Sequence, residues 1–289
     1  MKKFIIELNC FLAIVLLFSC HKTLSETDPS TSLSPASVSN IGNSSCQVIN
    51  ITQINGDTKY NQWTFNRDSF NNVSSIDYFN FLSAEHTVNY NFQNKGDTLV
   101  IDSATWMVKN HLTGNVIKYV TKENLTASLD DIITYDYIYS DNRLIEKYIY
   151  YNQTNKPDYI TKYYYEGNNL INCQMFTGDG KERVLQSKFT YDQSRKIHPW
   201  LYLYSDAFES YHLLPGFLYG NKPDNPILKI ETLIYNVTDN TVKDNWTTTF
   251  SGYVYSQDLY VLQVTTNGDF QQGIGLLLGT LRFGYKCSN

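Results

Sequence analysis

Three stretches of the chain repeat one pattern: "YIYSDNRL" (residues 137–144), "YYYEGNNL" (163–170) and "FTYDQSRKI" (189–197). Their third residues, Tyr139, Tyr165 and Tyr191, stand at a fixed period of 26. A constant period in this range marks a repeated supersecondary unit. Each unit carries aromatic residues at i and i+2, then polar turn-formers, then an apolar restart. Residues two apart share one face of a strand. Asp141-Asn142, Gly167-Asn168 and Asp192 with Ser194 supply turn chemistry. Each unit therefore reads as a strand, a tight turn and a return strand.

The first unit makes the alternation explicit. Ile133, Tyr135, Tyr137 and Tyr139 fall on one face, and Thr134, Asp136 and Ile138 on the other. Tyr148 and Tyr150 continue the period on the return strand. Cross-strand aromatic pairs each contribute roughly 0.2–1 kcal/mol, and tyrosine packs its ring while its hydroxyl stays near water or a polar partner. Two readings follow for these tyrosines: a scaffold that packs the sheet, or an exposed platform for sugar rings.

Strand signals fill the remaining chain. "TVNYNFQNKGDTLVI" reads as a hairpin turning at Lys95-Gly96-Asp97, and "ATWMVKN" and "NVIKYVT" follow as strands, with Trp106 expected in the core. "TKENLTASLDD" (121–131) reads as a loop with one helical turn. Late strands are expected in "ILKIETLIYNV", "NWTTTFSGYVY", "LYVLQVTT" and "LLLGTLRFGYKC". Ala207, Phe208, Tyr211 and Leu214 have helical spacing ended by Pro215-Gly216, so one short helix is expected near 206–214. Long helical periods are absent. The fold class is all-β, an antiparallel meander of hairpins.

The repeated units resemble the YD repeats of the RHS type, whose strands run Y-x-Y-D-x-x-G-R-L. "YSDNRL" matches best, "YEGNNL" lacks the Arg and "YDQSRKI" lacks the Gly. The resemblance covers about a quarter of the chain. The chain as a whole resembles Bacteroidetes-type lipoproteins of unknown function with YD-like hairpins. "GYVYSQDLYVLQVTT" (252–266) is similar to their late hairpin, and "YGNKPDNPIL" (219–228) to their Asn-Pro loop. The resemblance implies a meandering antiparallel sheet and no particular activity.

The lipoprotein part of that resemblance rests on "MKKFIIELNCFLAIVLLFSC". Lys2 and Lys3 precede an apolar run too short to span a bilayer, which is the pattern of a secretory signal. Leu17, Phe18, Ser19 and Cys20 resemble a lipobox, with Cys20 the residue to be lipidated; cleavage elsewhere in an ordinary secreted protein is the alternative. Residues 1–19 are then a signal peptide, 20–40 a Ser/Thr/Pro-rich flexible linker, and 41–289 a single all-β domain. An acylated Cys20 anchors the protein in the membrane, so the expected location is the cell envelope, as an outer-membrane lipoprotein facing the periplasm or the surface.

The net charge of −5 becomes −6 once Lys2, Lys3 and Glu7 are removed. An acidic chain without a basic cluster does not bind nucleic acid through its phosphates. Cys46 and Cys287 bracket the domain and are a candidate disulfide, while Cys173 in "LINCQMF" is expected buried and free. No histidine or cysteine spacing suits a metal, and no motif holds a cofactor. "TGDGKER" (177–183) lacks phosphate-loop spacing and reads as a turn, and no serine lies in G-x-S-x-G.

Trp200, Trp246, Tyr148 and Tyr150 are the candidate ligand-stacking residues, Trp200 and Trp246 because they adjoin loops. The function expected is a non-enzymatic module that binds a glycan or an envelope protein through a sheet face or edge. The alternative is a polysaccharide-acting hydrolase whose carboxylates are assembled by the fold, for which sequence names no pair.

Overall fold

A computed structural model of the chain describes residues 46–69, 73–81, 85–101, 105–126, 129–198, 220–268 and 279–287. The expected helix near 206–214, Trp200, Cys20 and the linker lie outside them. Strands form wherever the sequence alternates. They are β1 (Cys46–Asn55), β2 (Thr58–Arg67), β3 (Val73–Asn80), β4 (Glu85–Asn91), β5 (Gln93–Lys95) and β6 (Thr98–Val100). Next come β7 (Trp106–Lys109), β8 (Val116–Thr126), β9 (Leu129–Ser140), β10 (Arg143–Tyr151), β11 (Tyr159–Glu166) and β12 (Asn169–Thr177). Last are β13 (Arg183–Tyr191), β14 (Ile227–Tyr235), β15 (Val242–Tyr255), β16 (Val261–Gly268) and β17 (Gly279–Cys287). No helix occurs among the described residues.

Each strand pairs antiparallel with the next, apart from β4 and β5. Those two are halves of one run interrupted at Phe92: β4 pairs with β3 and β5 with β6. Finally β17 pairs with β1 from Cys46↔Cys287 to Ile54↔Thr280. The meander thus curls into a nearly closed barrel. Its first and last strands, which would be edges in an open sheet, pair with one another. Cys46 and Cys287 are disulfide-bonded across this seam, and Cys173 is buried and reduced.

The inner face holds the core. Ile133, Tyr135 and Tyr137 are buried, whereas Ile138 is 44% exposed. Tyr119 stacks on Tyr135 with ring centroids 5.3 Å apart. One contiguous cluster runs from Ile51 on β1 to Phe283 on β17. Lys147 is also fully buried, with its ammonium 5.3 Å from the Tyr135 ring centroid.

The outer face interleaves ion pairs with exposed apolar side chains such as Ile138 and Leu228. Lys118 pairs with Asp136 at 3.3 Å, Lys162 with Glu146 at 4.0 Å and Lys229 with Glu231 at 3.1 Å. Thr247, Thr249 and Thr265 take the same face by register. A barrel that spans a bilayer carries an outward apolar band about 25 Å tall, and the charged pairs stand among the apolar residues of this face.

Both chain ends of the barrel lie at one rim. The turns at 110–115, 141–142 and 167–168 and the described stretches 192–198 and 220–226 lie there too, because each strand reverses direction. Asp141 and Asn142 both have positive φ, 49° and 57°, as a two-residue hairpin turn requires. The first two repeated units are the expected hairpins.

The third unit is not a hairpin. β13 stops at Tyr191 and the chain turns along the rim, because Asn225 donates to the carbonyls of Asp192 and Arg195 at 3.2 and 2.6 Å. The expected loop at 121–131 is instead the tip of the β8–β9 hairpin, since the β period carries through Thr126 and resumes at Leu129.

Candidate functional site

An aromatic strip on the outer face of β7 to β14 is the arrangement with the most recognition chemistry. Its position follows from register. Tyr137 pairs with Lys147 and Tyr135 with Ile149, all buried, so the residues between them on β10 must face outward. Those residues are Glu146, Tyr148 and Tyr150. Trp106 is outward for the same reason, because its neighbour Met107 is fully buried. The core position expected for Trp106 is therefore corrected. Apolar residues at successive positions on β7 left its parity open, and pairing with β8 decides it.

Two rows of side chains cross the strands. One runs Trp106, Val120, Thr134, Tyr150. The other runs Val108, Lys118, Asp136, Tyr148, Ile160, Phe176, Arg183. Neighbouring strands lie about 4.8 Å apart, so Tyr148 and Phe176 are separated by roughly 10 Å along the sheet.

Polar groups interleave with the rings. The Tyr148 hydroxyl donates to Glu146 Oε2 at 2.6 Å, which holds the phenol proton and pushes the Tyr148 pKa up, with burial and the carboxylate charge adding to the shift. Burial, then the charge of Asp136, raises Tyr150. Both phenols stay neutral donors at physiological pH.

At the far end of the strip, Arg183 lies over the Tyr235 ring, 5.1 Å from its centroid. Its Nη1 approaches Gln186 Oε1 and the Tyr235 hydroxyl, each at 3.4 Å. Tyr235 donates to Gln186 Oε1 at 3.1 Å, and Gln186 Nε2 donates to Asn172 Oδ1 at 3.1 Å. A bulge makes this possible. Register slips between Met175 and Phe176 against β13, so Val184 and Leu185 both pack inward while Arg183 and Gln186 share the outer face.

The structure brings Tyr148 and Tyr150 together and separates them from Trp246. Trp246 pairs with buried Thr232 and lies on the inner face, half-buried. Trp63 is inward too and packs on Tyr78, with centroids 5.4 Å apart. Phe176, Arg183 and Tyr235 belong to the strip and were not named from sequence. Cys173 and Met175 alternating against Gln174 and Phe176 is a signal for Phe176, but nothing in the sequence marks the bulge that turns Arg183 outward. Among the described residues no group of histidine, cysteine or acidic side chains could hold a metal.

Comparison with known proteins agrees with the architecture. The chain is similar to a porin-like protein from Bacteroides uniformis ATCC 8492, whose crystal structure was solved at 2.32 Å resolution. The TM-score is 0.53 at 14% identity, covering 83% of this chain and 96% of that one. Similarity at that identity shows the fold alone. No family model matches the chain, and no curated protein matches it.

Proposed function

We propose that this is a lipid-tethered, non-enzymatic protein of the bacterial cell envelope that binds a glycan along the outer strip of β7 to β14. The observation that carries the reading is the interleaving of Trp106, Tyr148, Tyr150 and Phe176 with Asp136, Glu146, Asn172 and Gln186 on one outward face. A sugar ring has an apolar C–H face and a rim of hydroxyls. It can stack on an aromatic side chain and exchange hydrogen bonds with carboxylates and amides beside it. The centre of a protein interface is depleted of charge, whereas this strip carries Lys118, Asp136, Glu146 and Lys162 among its rings. Addition of an extended peptide to a terminal strand is disfavoured, because β1 and β17 pair with each other.

Tethering suits the geometry. Cys46 opens β1 at the rim that also carries Cys287. The linker of residues 20–40, as a flexible coil, would span roughly 22–27 Å between a lipidated Cys20 and the domain. The charged pairs on the outer face support anchoring by lipid rather than insertion of the barrel, although the similar fold is described as porin-like.

The test is affinity electrophoresis of the full-length chain, in detergent, through gels containing host and plant polysaccharides. Wild type should be retarded by at least one glycan. Tyr148→Ala and Trp106→Ala should lose most of that retardation, and Trp246→Ala on the inner face should keep it. No retardation by any polymer, or equal loss in Trp246→Ala alone, would count against the platform.

A further inference from the structure

We infer that Arg183 is a subsite for the ring carboxylate of an acidic sugar, so that the strip takes a uronic-acid-containing glycan. The inference rests on the glycan reading above and adds the ligand's chemical class.

Lys118 and Lys162, in the strip, each have a carboxylate partner. Arg183 has none among the described residues. Its contacts are the face of Tyr235, the Tyr235 hydroxyl and the Gln186 amide oxygen. Its Nε is buried and meets no acceptor. With Nε buried away from any ligand and both Nη1 contacts long, at 3.4 Å, the terminal nitrogens of the guanidinium keep donor capacity to spare. That capacity is matched by a carboxylate, which accepts two parallel N–H bonds from an arginine.

The surroundings fix the group without neutralising it. Stacking on Tyr235 holds the guanidinium plane, and the Tyr235–Gln186–Asn172 chain of hydrogen bonds holds Tyr235 in turn. Phe176 is the direct cross-strand neighbour of Arg183 on the same face. A pyranose stacked on Phe176 would therefore place a carboxylate on its ring within reach of Arg183. A neutral sugar would leave the guanidinium's donors unused.

The experiment compares polymers that differ only in the carboxylate. The full-length chain in detergent is titrated with polygalacturonate and alginate, with the methyl ester of each, and with poly-L-glutamate. Wild type should bind at least one acidic polymer about tenfold more tightly than its ester, and poly-L-glutamate weakly. Arg183→Gln should lower acidic-polymer affinity about tenfold to the level of the ester and leave ester binding unchanged. Arg183→Lys, which keeps the charge but loses the planar fork, should fall between. Thermal midpoints close to wild type for both variants tie the change to recognition.

An acid-to-ester ratio unchanged by Arg183→Gln would overturn the inference, as would poly-L-glutamate binding as tightly as the uronate. Equal wild-type binding of acid and ester would also overturn it while leaving the glycan platform standing. Binding of neither polymer, with retardation by a neutral glycan, has the same meaning. Absence of binding to every glycan removes the platform and the subsite together.

Discussion

The hydroxyl of Tyr191, at the end of β13, donates to the carbonyl of Leu170, at the start of β12, across 2.8 Å. The same bond recurs around the rim: Tyr139 to Val116 at 2.6 Å, Tyr253 to Ile227 at 2.6 Å and Tyr285 to Val261 at 2.8 Å. In each case the tyrosine lies within the last three residues of one strand of a hairpin and ties it to the first or second residue of the other. The bonds close the open ends of β8–β9, β12–β13, β14–β15 and β16–β17. Tyr191→Phe removes one such bond in a buried setting and should destabilise by about 1–2 kcal/mol. In a domain of this size that is a fall of a few degrees in Tm. Tyr164→Phe, on a ring that is 42% exposed, should leave Tm unchanged. Equal Tm for Tyr191→Phe and wild type would remove the structural role.

Buried tyrosines, three of these among them, also set an alkaline limit. Burial pushes the phenols of Tyr165, Tyr191, Tyr253 and Tyr285 well above their ordinary value of 10.0. Below pH 10 both folded and unfolded chains hold these protons, and the stability is intact. Above it the unfolded chain releases them while the folded barrel does not, so stability falls as pH rises toward the folded pKa values. One unit above pH 10 the loss is about 1.4 kcal/mol per group. Four such groups make it comparable with the whole stability of an ordinary domain. Urea midpoints should therefore drop steeply from pH 10 to 11, and Tyr191→Phe should flatten the slope. A midpoint indifferent to pH in that range would contradict the assignment.

The period of the tyrosines made the fold class and much of the strand order readable. It indicated that Tyr135 and Tyr137 point one way and Ile138 the other, which fixes the inner and outer faces. It could not indicate closure, because pairing of β1 with β17 joins residues far apart in the chain. It misread the third unit for a related reason: the turn after Tyr191 is set by Asn225, more than thirty residues on. For the strip, Tyr148 and Tyr150 were legible from alternation. Trp106 was masked by the apolar residues beside it, and Arg183 by a bulge that inverts its parity.

The seam gives a second stability prediction. Cys46 and Cys287 are 241 residues apart in sequence and directly paired across β1 and β17. Cross-linking a loop of that length stabilises by up to about 5 kcal/mol in the chain-entropy model. Reduction, or a Cys46→Ser/Cys287→Ser double variant, should lower Tm by several degrees or more, and the double variant should be insensitive to added reductant. A reductant effect that persists in the double variant would place it elsewhere.

Gly220 tests how far the rim depends on side-chain lacing. Asn115 donates to Asn142, Asn142 to Asn221, Asn221 to Asn168, and Asn168 to Asp224, at 2.7, 2.7, 3.0 and 3.1 Å. Three hairpin turns are thereby stitched to the segment 220–225. Gly220 opens the segment with φ +82°, and a Cβ there would sit 2.5 Å from the carbonyl oxygen of Asn142. Neither that φ nor that contact suits alanine, because the neighbour is backbone and cannot swing aside. Gly220→Ala should therefore destabilise by about 2–4 kcal/mol. Gly96→Ala, also at positive φ but in open space, should lose only about 1 kcal/mol. Similar losses for the two variants would mean that backbone conformation alone is felt and that the lace adds nothing. A larger loss at Gly220, accompanied by faster amide exchange in the turns at 141–142 and 167–168, would show that one contact holds the rim in register.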